Sequence, residues 1–247
     1  MIKPLTSLRF LFALMVFLHH LSFLKLHGEG YNAFYKLFCA EGYIGVNFFF
    51  MLSGFILAYV YQDKIIDKSV SPSKFWIYRF ARIYPLHLLT LIIALPITYK
   101  LFLSGLGTWV LQFASNLFLL HSLIPHSDYY FSFNSVSWSI SAEMVFYLLF
   151  PFTIPTLAKI AKSKLSSTIC LALFVIIVLG LTLLIDRAYY HELFYINPLF
   201  RFLDFTIGII LFNFVRKLEI SNVKATLFEF ASILLLTAFF LLSSFVP

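Results

Sequence analysis

Apolar segments of about 20 residues recur along the whole chain, and each is long enough to cross a hydrocarbon layer as a helix. Hydrophobic residues make up 61% of the 247 residues and charged residues only 12%, which excludes an ordinary soluble domain. The predicted spans lie near residues 4–25, 42–61, 83–103, 138–158, 167–185, 199–215 and 225–246. We therefore predict an all-α, polytopic transmembrane helix bundle of about seven or eight membrane segments, forming one domain over residues 1–247.

Basic residues predict how the chain is oriented in the membrane. The formal net charge is +7, and in so apolar a chain we interpret it as a topology signal rather than a nucleic-acid-binding surface. Residues 61–82, 159–164 and 216–224 are rich in Lys and Arg and are expected inside, as is the N-terminus. Residues 121–137 contain neither and are expected outside. This topology holds if segment 109–124 is re-entrant or interfacial, and it fails if that segment spans.

The first span carries Arg9 at one end and the pair His19 and His20 at the other. Arg9 and His20 are close to three helical turns apart, so they share one face, separated by about 16 Å. His19 is rotated by about 100° and lies off that face. Ionisable groups inside spans often mark function, which makes Arg9 and His20 candidate site residues. The alternative is that Arg9 is a snorkelling anchor and the histidines cap the span.

A second candidate lies in the stretch "SVSWSISAEMVFY", residues 135–147, where Glu143 enters an apolar segment. The predicted topology places Glu143 near the outer side, at a depth similar to that of His20. A carboxylate can orient an imidazole and stabilise its charged form, as general bases require. The alternative is a structural glutamate that is hydrogen-bonded to serines such as Ser139 or Ser141.

Arg79 and Arg82 are three residues apart at the cytoplasmic start of a span, and are near neighbours on a helix surface. Arginine is suited to binding phosphates, so a phosphorylated cytosolic donor such as a coenzyme A thioester fits this pair. The alternative is a positive-inside anchor.

Further polar and small residues lie within the apolar segments. Arg201 and Asp204 have the i,i+3 spacing of an intramembrane ion pair, with a structural or a functional role. The two cysteines, Cys39 and Cys170, fit no metal-ligand spacing, and we expect no metal site. The residues expected to allow close helix approach or bonding inside the bundle are Gly42, Gly45, Asn47, Ser53 and Gly54.

Five stretches, taken in order, resemble the acyltransferase-3 family of bacterial membrane O-acyltransferases. They are "LTSLRFLFALMVFLHH", "GYIGVNFFFMLSGFI", "YRFARIYPLHLL", "NSVSWSISAEMVFYLLFP" and "RFLDFTIGIIL". The family's first-span Arg and His match Arg9 and His20, and its donor-associated Arg-x-x-Arg motif matches Arg79 and Arg82. Its Trp-Ser-x-Ser-x-Glu motif matches the residues Trp138, Ser139, Ser141 and Glu143.

The resemblance implies transfer of an acyl group, often acetyl, from a cytosolic acyl-CoA to a hydroxyl of an envelope polysaccharide or lipid-linked glycan. It implies a bacterial cytoplasmic membrane protein with no bound cofactor and with acyl-CoA as co-substrate. Family members have more spans, so we expect the chain to lack the last ones. A transporter with a His, Glu and Arg pathway, or a non-catalytic membrane partner, are the alternatives.

Overall fold

The computed structural model describes residues 3–218 and 222–243, which form helices joined by short turns and contain no β-strand. This confirms the predicted all-α fold. The α-helices are α1 (Lys3–His19), α2 (Glu29–Phe38), α3 (Ile44–Ile66), α4 (Pro72–Ile97), α5 (Tyr99–Ser104), α6 (Leu106–Leu117), α7 (Ser127–Tyr130), α8 (Trp138–Ile160), α9 (Lys164–Leu184), α10 (Pro198–Val215) and α11 (Asn222–Ser243).

Several of these helices are long and apolar enough to cross a membrane. The five candidate spans are Ala40–Ile66, Pro72–Ile97, Ser135–Ile160, Lys164–Leu184 and Pro198–Val215. Of two shorter apolar stretches, Leu8–Phe23 runs from α1 into the 3₁₀ segment that follows it, and Thr226–Leu235 lies in α11. The predicted membrane bundle is thus confirmed, with five long helices and two shorter ones among the described residues.

The third predicted span has the wrong start. Helix α4 begins at Pro72 rather than near residue 83, because Ser71 caps its N-terminus and proline suits the first helical position. The Ser71 hydroxyl accepts a hydrogen bond from the Lys74 amide at 3.3 Å. Arg79 and Arg82 therefore lie inside a long helix, and not in the loop that their charge suggested.

The segment predicted as re-entrant or interfacial forms α6 and the turn that follows it. The 12 residues of α6 extend about 18 Å, which is less than the thickness of the hydrocarbon layer. The chain then turns back through Leu119, which has a φ of 55°, into the 3₁₀ turn His121–Leu123. Helix α6 alone is thus too short to cross.

The chain divides into two compact units, and the division falls inside α3. The first unit comprises Met1–Phe49 and Lys217–Pro247, and the second comprises Phe50–Arg216. The expectation of a single domain over the whole chain stays a prediction.

In the first unit, α1 packs closely against the turn Ala40–Tyr43 and the start of α3. A side chain at Gly42 would lie 2.8 Å from the Cβ atom of His19, so only glycine permits this approach. Phe12 stacks on Phe48 with 3.8 Å between ring centroids. The small residues predicted for helix packing thus fix the C-terminal half of α1.

In the second unit, α3 and α10 touch backbone to backbone. A side chain at Gly54 would collide with the carbonyl group of Phe205, and one at Gly208 with that of Met51. Buried aromatic rings fill the adjoining core, where Phe146 lies 5.3 Å from Phe205 between ring centroids. This core holds α8 against α10 and fixes the side chains at the start of α8.

Candidate active site

His20 lies directly after α1, and its imidazole is exposed. Its Nδ1 atom donates a hydrogen bond to the main-chain carbonyl of Val16 at 2.7 Å. Because a carbonyl oxygen can only accept, Nδ1 carries the proton of the neutral ring. The Nε2 atom then keeps its lone pair, which is the form that a general base needs.

His19 packs inside the first unit, although its ring centroid lies only 5.6 Å from that of His20. Its Nδ1 atom lies 3.2 Å from the carbonyl of Cys39, and its ring packs at the edge of Tyr43. The Tyr35 hydroxyl donates to the main-chain carbonyl of His19 at 2.8 Å. The two adjacent histidines therefore differ: His19 is built into the packing, whereas His20 is presented outward.

Arg9 and Asn47 also belong to the first unit. Arg9 is half-buried on α1, about 16 Å along the helix from His20. The buried Oδ1 atom of Asn47 has no hydrogen-bond partner among the described residues. An acceptor left without a partner inside the bundle is costly, and it is available to a donor from a substrate or water.

Glu143 sits at the start of α8 in the second unit, where side chains from three helices meet. The Tyr147 hydroxyl, one turn along the same helix, donates to its Oε2 atom at 3.1 Å. The Ser53 hydroxyl of α3 faces the same carboxyl group. Arg79 and Arg82 of α4 act on it through their charges. Glu143 is thus held by side chains alone.

The arginines were expected at the opposite depth from Glu143, and this expectation is wrong. The guanidinium group of Arg79 lies 5.8 Å from the ring centroid of Tyr147 and 5.6 Å from that of Tyr61. The indole of Trp76 donates to the Tyr147 carbonyl at 3.0 Å, which locks α4 to α8 at this level. Because α4 begins earlier than predicted, its arginines reach the level of Tyr147. Arg79 is half-buried, whereas Arg82 is exposed.

The serines around Glu143 have structural partners. The Ser141 hydroxyl donates to the Leu119 carbonyl at 2.7 Å, and the Ser122 hydroxyl donates to Ser141 at 2.7 Å. The Ser139 hydroxyl bonds to the Val136 carbonyl at 3.0 Å. Ser141 therefore fixes the turn after α6 against α8, and Ser139 fixes the start of α8. The alternative in which they hold the Glu143 carboxylate does not describe the observed contacts.

Two further predicted groups, Trp138 and the pair Arg201 and Asp204, belong to the second unit. Trp138 is buried and packs against the ring of Tyr195, with 4.9 Å between centroids. Arg201 and Asp204 form the predicted i,i+3 ion pair, with 2.6 Å between Nη1 and Oδ2. The Arg201 guanidinium group also lies over the Tyr195 ring at 5.6 Å. Trp138 and the ion pair thus pack around the ring of Tyr195.

A buried histidine pair was missed by the sequence reasoning. The rings of His87 and His121 stack with 6.2 Å between centroids and 8° between planes. The Nε2 atom of His87 donates to the Asn116 carbonyl at 2.9 Å. Burial, together with the adjacent His87, lowers the pKa of His121 to about 4, so its ring is neutral near pH 7. This pair joins α4 to the turn after α6.

Comparison with known proteins identifies the family. The family described as "Acyltransferase domain" matches residues 3–247. The chain belongs to the acyltransferase-3 family. Its relatives include Acyltransferase MdmB of Streptomyces mycarofaciens, which is 37% identical over 168 residues, 66% of this chain and 42% of that protein. Protein 2 in picA locus of Rhizobium radiobacter is 41% identical over 69 residues, 28% of this chain and 36% of that protein.

The chain therefore covers less than half the length of either relative. No solved structure gives a significant match. In this acyltransferase-3 chain, Arg9 and His20 belong to the first unit, and Glu143, Arg79 and Arg82 to the second. The predicted pairing of His20 with Glu143, and the catalytic and donor-binding roles of these residues, stay predictions.

The residue most clearly missed at the site is Tyr147. Its spacing of four residues from Glu143 places both on one face of a helix, and that signal was present in the sequence. The contact of Tyr35 with His19 carried no such signal, because it depends on how α2 folds back against α1.

Proposed function

We propose that the protein transfers an acyl group, most simply acetyl, from a cytosolic acyl-CoA to a hydroxyl of an extracytoplasmic glycan or lipid-linked saccharide. The family match along residues 3–247 supports the reaction class. The observation that carries the choice of residues is the hydrogen bond from His20 Nδ1 to the Val16 carbonyl, which leaves Nε2 ready to accept a proton.

In the proposed reaction, His20 Nε2 takes the proton of the acceptor hydroxyl as its oxygen attacks the thioester carbonyl carbon. The carbon–sulfur bond breaks, the coenzyme A thiolate leaves, and the imidazolium proton neutralises it. The products are the acylated hydroxyl and free coenzyme A, with no net release of protons. Arg9, on the same helix face but about 16 Å along the helix from His20, is too far to contact the reacting carbonyl, and its positive charge instead guides the anionic donor.

In this mechanism, Glu143 interacts with Arg79 and Arg82 and not with His20. Because Val16 already occupies Nδ1 of His20, a carboxylate could reach only Nε2, the atom that the base must keep free. The charges of Arg79 and Arg82 act on Glu143, and Tyr147 fixes the carboxyl group by a hydrogen bond. In this proposal, Glu143 holds the two guanidinium groups so that they bind the phosphates of the donor.

The proposed setting is the cytoplasmic membrane of a bacterium, with the N-terminus inside and no bound cofactor. The relatives from Streptomyces and Rhizobium are bacterial proteins, and the five long apolar helices suit a bilayer. In this orientation, donor and acceptor approach from opposite sides of the membrane.

The test is a labelling assay with the full-length protein in sealed lipid vesicles. Radiolabelled acetyl-CoA and an extract of envelope glycans are added, and label on the glycan is compared with that in protein-free vesicles. We expect label on the glycan together with release of free coenzyme A. Flux of label or glycan across the vesicle without thioester cleavage would instead establish the transporter, and would contradict this proposal.

A further inference from the structure

The end of α1 is held by side chains. The carbonyls of its last turn belong to residues 16–19, where α1 passes into the 3₁₀ segment His20–His27. The Val16 carbonyl accepts from His20 Nδ1 at 2.7 Å, and the His19 carbonyl accepts from the Tyr35 hydroxyl at 2.8 Å. Two side chains therefore bond to the carbonyls at the end of α1: that of His20, the next residue along the chain, and that of Tyr35 from α2.

The chain kinks directly after this end. Leu21 has φ −82° and ψ 19°, outside helical values, in the 3₁₀ segment His20–His27. The carbonyl of Leu21 lies 3.5 Å from the hydroxyl of Tyr31. Tyr31 and Tyr35 are one turn apart on α2 and so project from the same face. Two tyrosines thus bond to the carbonyls on either side of His20.

Tyr35 is built into the first unit. It is 2% exposed, so its hydroxyl depends on partners inside the protein. The same contact region includes the Cys39 carbonyl, which lies 3.2 Å from His19 Nδ1. Cys39 is 1% exposed, and Gly42 leaves the space for His19. The carbonyl that Tyr35 holds is therefore rigidly placed, whereas the neighbouring imidazole of His20 is exposed.

We propose that Tyr35, assisted by Tyr31, is a positioning residue that ends α1 at His19 and so keeps His20 in its Nδ1–H form. This inference rests on the proposed role of His20 as the base. The two hydroxyls, which we name the tyrosine clamp, fix the main chain on both sides of His20. The clamp thereby sets where the free Nε2 lone pair points.

The clamp works by competing with helix extension. In an uninterrupted α-helix, the main-chain N–H group four residues on takes each carbonyl, and the side chain has no reason to cap. Without the Tyr35 hydroxyl, α1 can continue past His19, and the imidazole of His20 is released from Val16. The ring then samples both tautomers and several rotamers, and the fraction ready to act as a base falls.

The experiment compares Tyr35→Phe and Tyr31→Phe with Tyr59→Phe, an exposed tyrosine of the second unit, in the full-length protein. Acyl transfer gives kcat and KM, and ¹⁵N-histidine NMR reports which ring nitrogen of His20 is protonated. The His20 signals are assigned by their loss in His20→Ala. Thermal unfolding in detergent checks that each variant is folded.

We expect Tyr35→Phe to lower kcat about tenfold with little change in the KM for acyl-CoA, because positioning is lost but donor binding is not. The ¹⁵N spectrum should change from Nδ1–H to a mixture of tautomers. Tyr31→Phe should have a smaller effect of the same kind, because its hydrogen bond is longer. Tyr59→Phe should match the wild type.

Two outcomes would overturn the proposal. One is a Tyr35→Phe variant that keeps both the wild-type kcat and the wild-type ¹⁵N spectrum of His20. The other needs no variant: a wild-type spectrum in which His20 is protonated on Nε2. If His20→Ala keeps full activity while Tyr35→Phe changes the His20 spectrum, the clamp exists but the proposed catalytic role of His20 fails. The NMR result therefore separates the failure of the two proposals.

Discussion

The end of α1 and the start of α8 hold their polar groups in different ways. The His20 ring is bonded to the main-chain carbonyl of Val16 in α1, and the adjacent His19 carbonyl is bonded to Tyr35. Glu143, in contrast, is surrounded by side chains from α3, α4 and α8. A group held by main chain responds to changes in the helix end, whereas a group held by side chains responds to single substitutions among its partners.

The largest effect is expected at the end of α1. His20→Ala should lower kcat by about 100- to 10,000-fold, the usual contribution of a general base. The assay is acyl transfer from labelled acetyl-CoA at saturating donor. His126→Ala removes an exposed histidine from the second unit and serves as the control. Equal losses in both variants would show that His20 has no special role.

The Glu143 cluster should show a smaller but coupled response. We expect Glu143→Gln to lower kcat/KM for acyl-CoA about 30-fold and Tyr147→Phe about tenfold, because each disturbs the arginines that bind the donor. In the double variant, the loss should be close to that of Glu143→Gln alone, since the two side chains share one hydrogen bond. Strictly multiplicative losses would mean that Tyr147 does not act through Glu143.

The close contact of α3 with α10 should contribute to the stability of the second unit. Gly54→Ala places a methyl group against the Phe205 carbonyl, and we expect the free energy of unfolding to fall by about 2 kcal/mol. Gly180→Ala in α9 meets no atom within 4 Å and is the matched control. The measurement is thermal unfolding in detergent. If Gly54→Ala is as stable as Gly180→Ala, the close contact of α3 with α10 is absent.

The smallest effect concerns pH. The pKa of His121 in the folded protein is about 4, below its ordinary value of 6.5, so the unfolded chain binds a proton that the folded protein does not. Stability should therefore fall as the pH drops, by roughly 1 kcal/mol between pH 7.5 and 5.5. His121→Asn should reduce this slope, and His126→Asn should not. A slope unchanged in His121→Asn would show that another group is responsible.

The sequence was informative about spans because lipid imposes a length and a composition on each helix. It failed at the start of α4, where a capping serine and a proline begin the helix inside a charged stretch that resembled a loop. That single error moved Arg79 away from Glu143 in the prediction. The sequence indicated which residues could carry chemistry, but not how far along its helix each one lies.

Contacts between elements were the harder part. The ion pair of Arg201 with Asp204 followed from i,i+3 spacing, and the same rule would have found Tyr147 beside Glu143. The bonds that join His19 to Tyr35 and His87 to Asn116 connect separate helices and depend on how those helices fold together. The periodicity within one segment does not predict such contacts between different helices.

The proposed mechanism requires a free base at the end of α1, and chemical rescue tests this requirement directly. Acyl transfer by His20→Ala is measured with increasing imidazole in the same vesicle assay, beside Glu143→Gln. We expect imidazole to restore part of the activity of His20→Ala in proportion to its free-base concentration, and to leave the activity of Glu143→Gln unchanged. Transfer by His20→Ala at the wild-type rate without imidazole would contradict the proposed mechanism.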